Sequence, residues 1–214
     1  MFMNHLDEIQ LDTIATALVE CGYVVMDKLV HRDLLKILVA HFNGLHGDVF
    51  KPAGVGRQAD FQVQENIRTD KIYWLESDKE PTAEFLQIME ALRIGLNRRL
   101  FLGLNVYESH FAHYPVGAFY KKHVDAFREN NERRQLQETQ SNRVLSTVLY
   151  LNEAWQANSG GELILYSETG EQVLEKIFPE FGRIVIFLSE KFPHEVLPAT
   201  RERNSIAGWF RVNK

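Results

Sequence analysis

The sequence has very little sulfur chemistry: among 214 residues there is one cysteine, Cys21. No intrachain disulfide can form, and no cysteine-based zinc site is available. The first residues lack a basic region followed by an apolar core, so no secretory signal is expected. No run of about 18 uncharged apolar residues occurs, so no membrane-spanning helix is expected. Positive charge is scarce too. The 24 Lys and Arg are outnumbered by 29 Asp and Glu, a net charge of −5, which argues against a general nucleic-acid binder. There are no internal repeats. Together these absences predict a cytoplasmic protein in a reducing compartment, with no membrane or nucleic-acid partner.

What is present supports a folded domain. Hydrophobic residues make up 45% and aromatics 11%, enough for a substantial core. Helical periodicity is expected over 6–21, 32–43 and 82–100, the last starting at Pro81-Thr82. Short strands are expected at 23–26 and 71–75. Between them, 46–68 loses its pattern and reads as a long loop, of the kind that often carries function. After Asn105 the character turns to β, with strands near 107–115, 119–125, 143–151, 161–166, 172–178, 182–188, 194–199 and 204–212. The polar segment 128–142 interrupts them. The expected fold is α+β: a double-stranded β-helix (jelly roll, cupin-like) with N-terminal helices packed on one sheet. One domain is expected over 1–214, with helices and loop in 1–105 and the jelly-roll core in 106–214.

The tripeptide His123-Val124-Asp125 carries the most chemical information. A strand sends residues i and i+2 to one face. An imidazole and a carboxylate would then point into one cavity, and His194, from a strand distant in sequence, would add a second imidazole. Two histidines and one carboxylate on one face of a metal form the triad of non-haem Fe(II) oxygenases, which leaves positions open for substrate and O₂. Taken alone, an HxD tripeptide is more often a surface feature. His110 and His113 lie on the preceding strand, and His5, His31, His41 and His46 read as solvent-facing or capping.

Arg203 shifts the balance. It shares a strand face with Ser205, Ala207 and Trp209, and that face carries no acid. Burying an unpaired guanidinium is costly, so an anionic ligand is its natural partner. The planar fork of arginine suits a carboxylate. The plainer alternative is a strand end meeting solvent, as for Arg201 and Arg211. Tyr150 sits among Ser146 and Val148 on an inward face and needs a hydrogen-bond partner. Tyr114 and Tyr120 are further cavity candidates, although core packing alone accounts for any single tyrosine.

These residues fall in an ordered set: His113-Tyr114-Pro115, Phe119-Tyr120-Lys121-Lys122-His123-Val124-Asp125, Leu149-Tyr150-Leu151-Asn152, Ser159-Gly160-Gly161, Phe192-Pro193-His194-Glu195-Val196 and Arg203. The set resembles the 2-oxoglutarate- and Fe(II)-dependent prolyl 4-hydroxylases, and most closely the bacterial relatives of the oxygen-sensing prolyl hydroxylases. Ile67-Arg68-Thr69-Asp70-Lys71-Ile72-Tyr73-Trp74 extends the resemblance upstream, to roughly residues 20–212.

The resemblance implies a role for each residue. His123, Asp125 and His194 would bind Fe(II). Arg203 would hold the distal carboxylate of 2-oxoglutarate with help from Tyr150, beside Tyr114, with Trp209 walling the pocket. A substrate loop at about 53–69, with Arg57, Arg68 and Asp70, would close over a peptide. Asp70 would pair with Arg143 to tie the loop base to the barrel. His110 departs from the pattern, standing where the family usually has an apolar pocket residue.

The implied reaction consumes O₂ and 2-oxoglutarate, releases succinate and CO₂, and hydroxylates a prolyl residue of a cytosolic protein such as a translation factor or ribosomal protein. Ascorbate is a candidate reductant and a monomer is the expected state. Two alternatives stay open: the same chemistry on a small molecule or another amino-acid residue, and a non-catalytic cupin-like metal-binding module. The nucleic-acid repair branch is disfavoured, because Trp209 stands where it has a second arginine.

Overall fold

The computed structural model describes residues 6–54, 66–77, 79–126 and 142–212. Arg57 and most of the expected substrate loop lie outside these residues, as does nearly all of the polar segment 128–142.

The described residues form three α-helices, all in the first half of the chain. α1 (Glu8–Glu20) starts at Asp7, whose side chain accepts from the Gln10 amide while Gln10 returns a bond to the Asp7 amide. α2 (Arg32–Gly44) starts at His31, which caps the Asp33 amide. α3 (Thr82–Leu100) follows, its start braced by the Thr82 hydroxyl donating to the Glu76 and Lys79 carbonyls. Between and after the helices lie β1 (Tyr23–Met26), β2 (Lys51–Pro52), β3 (Lys71–Trp74), β4 (Val106–Tyr114), β5 (Tyr120–His123), β6 (Arg143–Tyr150), β7 (Leu163–Tyr166), β8 (Val173–Ile177), β9 (Ile184–Leu188), β10 (His194–Val196) and β11 (Arg203–Arg211). Every strand expected from the sequence is present. The two-residue β2, which contains a proline, was not expected.

The strands form two antiparallel sheets. The larger runs β1-β9-β6-β11-β4-β3-β2 and the smaller β5-β10-β7-β8. Alternation along β4, β6, β9 and β11 divides the large sheet into two faces. Phe111, Leu145, Leu149, Ile184, Ile186, Ile206 and Phe210 pack against Ile14, Leu34, Leu38, Phe85, Met89 and Leu92 of the helices. The opposite face turns Ala112, Tyr114, Tyr150, Val185 and Phe187 toward Leu163, Leu165 and Val196 of the small sheet. This is the jelly roll with one helical layer that the sequence predicts. The second interface, between the sheets, holds the site. Among the described residues no helix is long and apolar enough to cross a membrane.

Candidate active site

His123 and His194 meet because β5 and β10 are neighbours with these two residues directly opposite. Their rings lie 4.2 Å apart. Asp125 arrives differently from the sequence expectation. β5 ends at His123, and Asp125 lies in the bend beyond it. The reason is the partner: β10 begins at His194, so no strand pairs with Val124 or Asp125. The carboxylate nevertheless turns inward, 3.6 Å from His123 Nε2 through Oδ1 and 3.7 Å from His194 Nε2 through Oδ2. All three ligand atoms fit within 4.8 Å of one another, a separation suited to one metal ion.

Their protonation suits a metal as well. His123 Nδ1 lies 2.8 Å from the Lys121 carbonyl, and His194 Nδ1 lies 3.0 Å from the Phe192 carbonyl. A carbonyl only accepts, so each Nδ1 carries a proton and Nε2 is the ring atom turned to the ligand position. Burial pushes the His194 pKa down to about 4, leaving it neutral at neutral pH. Burial alone would raise Asp125. The two imidazoles and the Ser146 hydroxyl outweigh it and hold the carboxyl well below the usual range, so Asp125 is ionised. The neutral imidazole of His194 and the Asp125 carboxylate are forms that bind a divalent cation.

Each ligand has outer support. Asp125 Oδ2 accepts from Ser146 Oγ at 2.6 Å and from Trp209 Nε1 at 2.9 Å, and Ser146 in turn meets Ser189 Oγ at 2.9 Å. Tyr120 stacks flat on His123, with centroids 3.5 Å apart and planes 15° apart. The guanidinium of Arg68 lies over the Tyr120 ring at 4.2 Å. Arg143 covers Trp209 at 3.6 Å. Sequence reasoning placed Trp209 in the pocket wall but did not see its bond to Asp125, and it missed Ser146 and Ser189. A signal existed for Ser146, a hydroxyl between Val144 and Val148 on the inward face of its strand.

A second feature lies in the same inter-sheet layer, beside Tyr114 and Tyr150. Arg203 is 2% exposed, and its Nε and Nη1 have no hydrogen-bond partner among the described residues. The same holds for the Tyr150 hydroxyl, and burial raises the pKa of that phenol, keeping it a neutral donor. The guanidinium lies 4.3 Å from the Tyr114 ring centroid and 5.4 Å from that of Tyr150. Buried donors without partners are rare and call for an explanation. Three within one neighbourhood, on Arg203 and the adjacent Tyr150, fit an anion with two oxygens. Gly160 and Gly161 let the chain pass beneath this pocket. Both have positive φ, and a Cβ on Gly160 would stand 2.5 Å from the Pro198 carbonyl oxygen.

One expected pair is replaced. The carboxylate of Asp70 is held by Arg68, with Nε to Oδ1 at 2.8 Å and Nη2 to Oδ2 at 2.6 Å. Arg143 instead binds Glu108, at 3.2 and 3.3 Å. Arg68 is two residues away on the same segment and reaches first with both prongs. His110 is buried on the pocket face between Trp74 and Trp209, at 5.1 and 5.5 Å, and is not part of the triad. His113 bonds Asn204, and His46 is exposed.

A jelly roll with two imidazoles, one carboxylate and a buried anion-binding arginine defines the class of 2-oxo-acid-dependent non-haem iron oxygenases. The model of the 2OG-Fe(II) oxygenase superfamily matches residues 109–211. A prolyl-4-hydroxylase from Pseudomonas putida is 36% identical, with 95% of this chain and all of that one covered, at a TM-score of 0.81. A Trichoplax adhaerens prolyl hydroxylase, solved with a hypoxia inducible factor peptide, is 26% identical, with 95% and 90% covered, at a TM-score of 0.76. Human Egl nine homolog 1 is 28% identical over 95% of this chain, which spans 47% of that protein's length. The hypoxia-inducible factor prolyl hydroxylase of Caenorhabditis elegans is 27% identical, and this chain spans 27% of it. The chain belongs to the 2OG-Fe(II) oxygenase superfamily, as a member of its prolyl hydroxylases.

Proposed function

We propose that the protein hydroxylates a prolyl residue of a cytosolic protein, using Fe(II), 2-oxoglutarate and O₂ and releasing succinate and CO₂. The observation that carries the reading is the juxtaposition of two features in the layer between the sheets: Phe187 meets His194 of the three-ligand metal site and packs in one cluster with Tyr114 and Tyr150 beside the unpartnered donors. A metal site by itself would equally suit a binding module. The likeness to hydroxylases of peptidyl proline supports the substrate class, and a translation factor or ribosomal protein remains the target class expected from the resemblance.

The residues divide the work. His123, Asp125 and His194 would hold Fe(II), which supplies the oxidative decarboxylation of 2-oxoglutarate and the oxidant for C–H hydroxylation. Arg203 would bind the far carboxylate of 2-oxoglutarate through Nε and Nη1, and Tyr150 would donate to the same group. Tyr114 backs the guanidinium and excludes water from it. Trp209 and Ser146 donate to the Asp125 carboxylate from the large sheet. Arg68 and Asp70 fix the strand-side base of the 53–69 segment, beside Tyr120 and His123, where an extended peptide would enter. Ascorbate would act as an external reductant.

The test measures succinate released from 2-oxoglutarate by the Fe(II)-loaded protein, together with mass spectrometry of cytosolic proteins from cells with and without the chain. The expected result is succinate formation that depends on Asp125, and a gain of one oxygen at a specific proline. Metal binding without succinate formation would leave only a binding module. Turnover with the added oxygen on a small molecule would refute the peptidyl substrate.

A further inference from the structure

The site contains one buried polar device that metal binding and cosubstrate binding do not by themselves require. Ser146 Oγ and Trp209 Nε1 both donate to the same oxygen of Asp125, Oδ2. Ser146 is 1% exposed and Ser189 is fully buried. An ionised carboxylate can only accept, so the single Ser146 proton goes to Asp125. Ser146 must therefore accept from Ser189, whose hydroxyl is 2.9 Å away. The relay runs one way: Ser189 to Ser146 to Asp125. Ser189 grips the same bend through its backbone, because its carbonyl accepts from the Ala126 amide at 3.3 Å.

The position of the relay matters. Asp125 sits past the end of β5, so no strand ladder fixes its backbone or its χ angles. Two donors reach it from the other sheet, Ser146 on β6 and Trp209 on β11, with Ser189 just beyond β9. Two short hydrogen bonds to one oxygen set the plane of the carboxylate and draw electron density toward Oδ2. Both effects act on the ligand rather than on the metal directly.

We propose that Ser189, Ser146 and Trp209 form a donor clamp that presets the orientation of Asp125 and tunes its strength as a metal ligand, with Ser146 and Ser189 as positioning residues. The proposal rests on the assignment of Asp125 as a ligand.

The test uses the full chain stripped of metal, with Mn(II) affinity by calorimetric titration and the visible bands of the Co(II)-loaded protein as readouts. The variants are Ser146→Ala, Ser189→Ala, the double variant, Ser146→Thr and, as reference, Asp125→Ala. Ser146→Ala should weaken Mn(II) binding about 10–100-fold and shift the Co(II) bands. Ser189→Ala should weaken binding less. The double variant should be no weaker than Ser146→Ala, because Ser189 acts only through Ser146. Ser146→Thr, which keeps the hydroxyl, should restore both readouts. A merely structural role would lower stability and leave the Co(II) bands in place. Unchanged affinity and bands in Ser146→Ala, or additive losses in the double variant, would overturn the clamp. If Ser146→Ala does not fold, Ser189→Ala and Trp209→Phe carry the test, and unchanged affinity and bands in both refute it. Should Asp125→Ala bind Mn(II) as tightly as the parent, the ligand assignment itself fails, a result separable from failure of the clamp.

Discussion

Replacing Arg203 with Met should do two opposite things: weaken the use of 2-oxoglutarate and stabilise the protein without ligands. Arg203 is 2% exposed and leaves two guanidinium nitrogens without partners among the described residues. Removing that charge from water costs several kcal/mol in the absence of an anion. The stack on Tyr114 at 4.3 Å returns only about 0.5–2 kcal/mol. Methionine keeps much of the volume and none of the charge, so the ligand-free variant should gain about 1–3 kcal/mol. The cosubstrate loses two charge-assisted bonds of about 1.5–3 kcal/mol each. At about 1.4 kcal/mol per factor of ten, that raises the apparent 2-oxoglutarate KM by roughly two to four decades. The assays are succinate release across a 2-oxoglutarate series and thermal unfolding of the metal-free protein. An unchanged KM together with a lower Tm would refute the reasoning, since it would mean that the guanidinium already has its partner within the fold.

Tyr150→Phe removes one neutral donor from the same pocket and should raise the 2-oxoglutarate KM about fivefold to tenfold, with little change in Tm. A KM equal to the parent would exclude the phenol from the carboxylate. Arg68→Leu should destabilise by about 3–5 kcal/mol in urea unfolding, because it strands the buried Asp70 carboxylate. Arg143→Leu should cost much less, since Glu108 keeps Arg211 at 2.6 Å, and equal losses would restore the Asp70–Arg143 pairing. His110 supplies a pH test. Burial chiefly, then Arg68 and Arg143 against Asp70, lower its pKa from 6.5 to about 4. The unfolded chain therefore binds a proton before the folded one. Full stability holds above pH 6.5 and falls as pH drops toward 4, by at most about 3 kcal/mol. His110→Leu should flatten this part of the acid limb in urea unfolding at pH 7.5 and 4.5. An identical slope in both proteins would show that His110 is protonated in the fold.

The inward face of β11 was legible because alternation needs no partner. Arg203, Ser205, Ala207 and Trp209 follow from period two alone, and the missing acid on that face already implied an anion. Asp125 was misplaced for the converse reason. A strand ends where its partner ends, and the short reach of β10 is not written in residues 119–125. The Asp70–Arg143 pairing failed on a competition that spacing does not rank, since Arg68 is nearer and offers both prongs. The role of Ser146 was only half legible, because a serine on an inward strand face is ordinary until a carboxylate is seen 2.6 Å away, and Ser189, in the turn after β9, reaches that carboxylate only through Ser146. The two-residue β2 is too short for any periodicity to register.

The clamp also gives metal binding a mechanical consequence. His123 and His194 belong to the small sheet, while Asp125 is fastened to β6 and β11 of the large one. An ion held by all three would couple the paired histidines of the small sheet to the large one, through a carboxylate that only side-chain hydrogen bonds fasten to it. Any ligand that binds only the folded state stabilises it globally, by about 2.7 kcal/mol at a hundred times its Kd. The bridge predicts something further and local. Amide exchange in β5, β10 and the bend at 124–126 should slow on adding Mn(II) even where exchange occurs by local opening, whereas amides of α1 and α3 should follow only the global change. Serine-to-alanine change at position 146 should remove much of the local protection while leaving the helices as they were. Protection spread evenly over both sheets and the helices would mean that the metal stabilises the fold without linking the sheets.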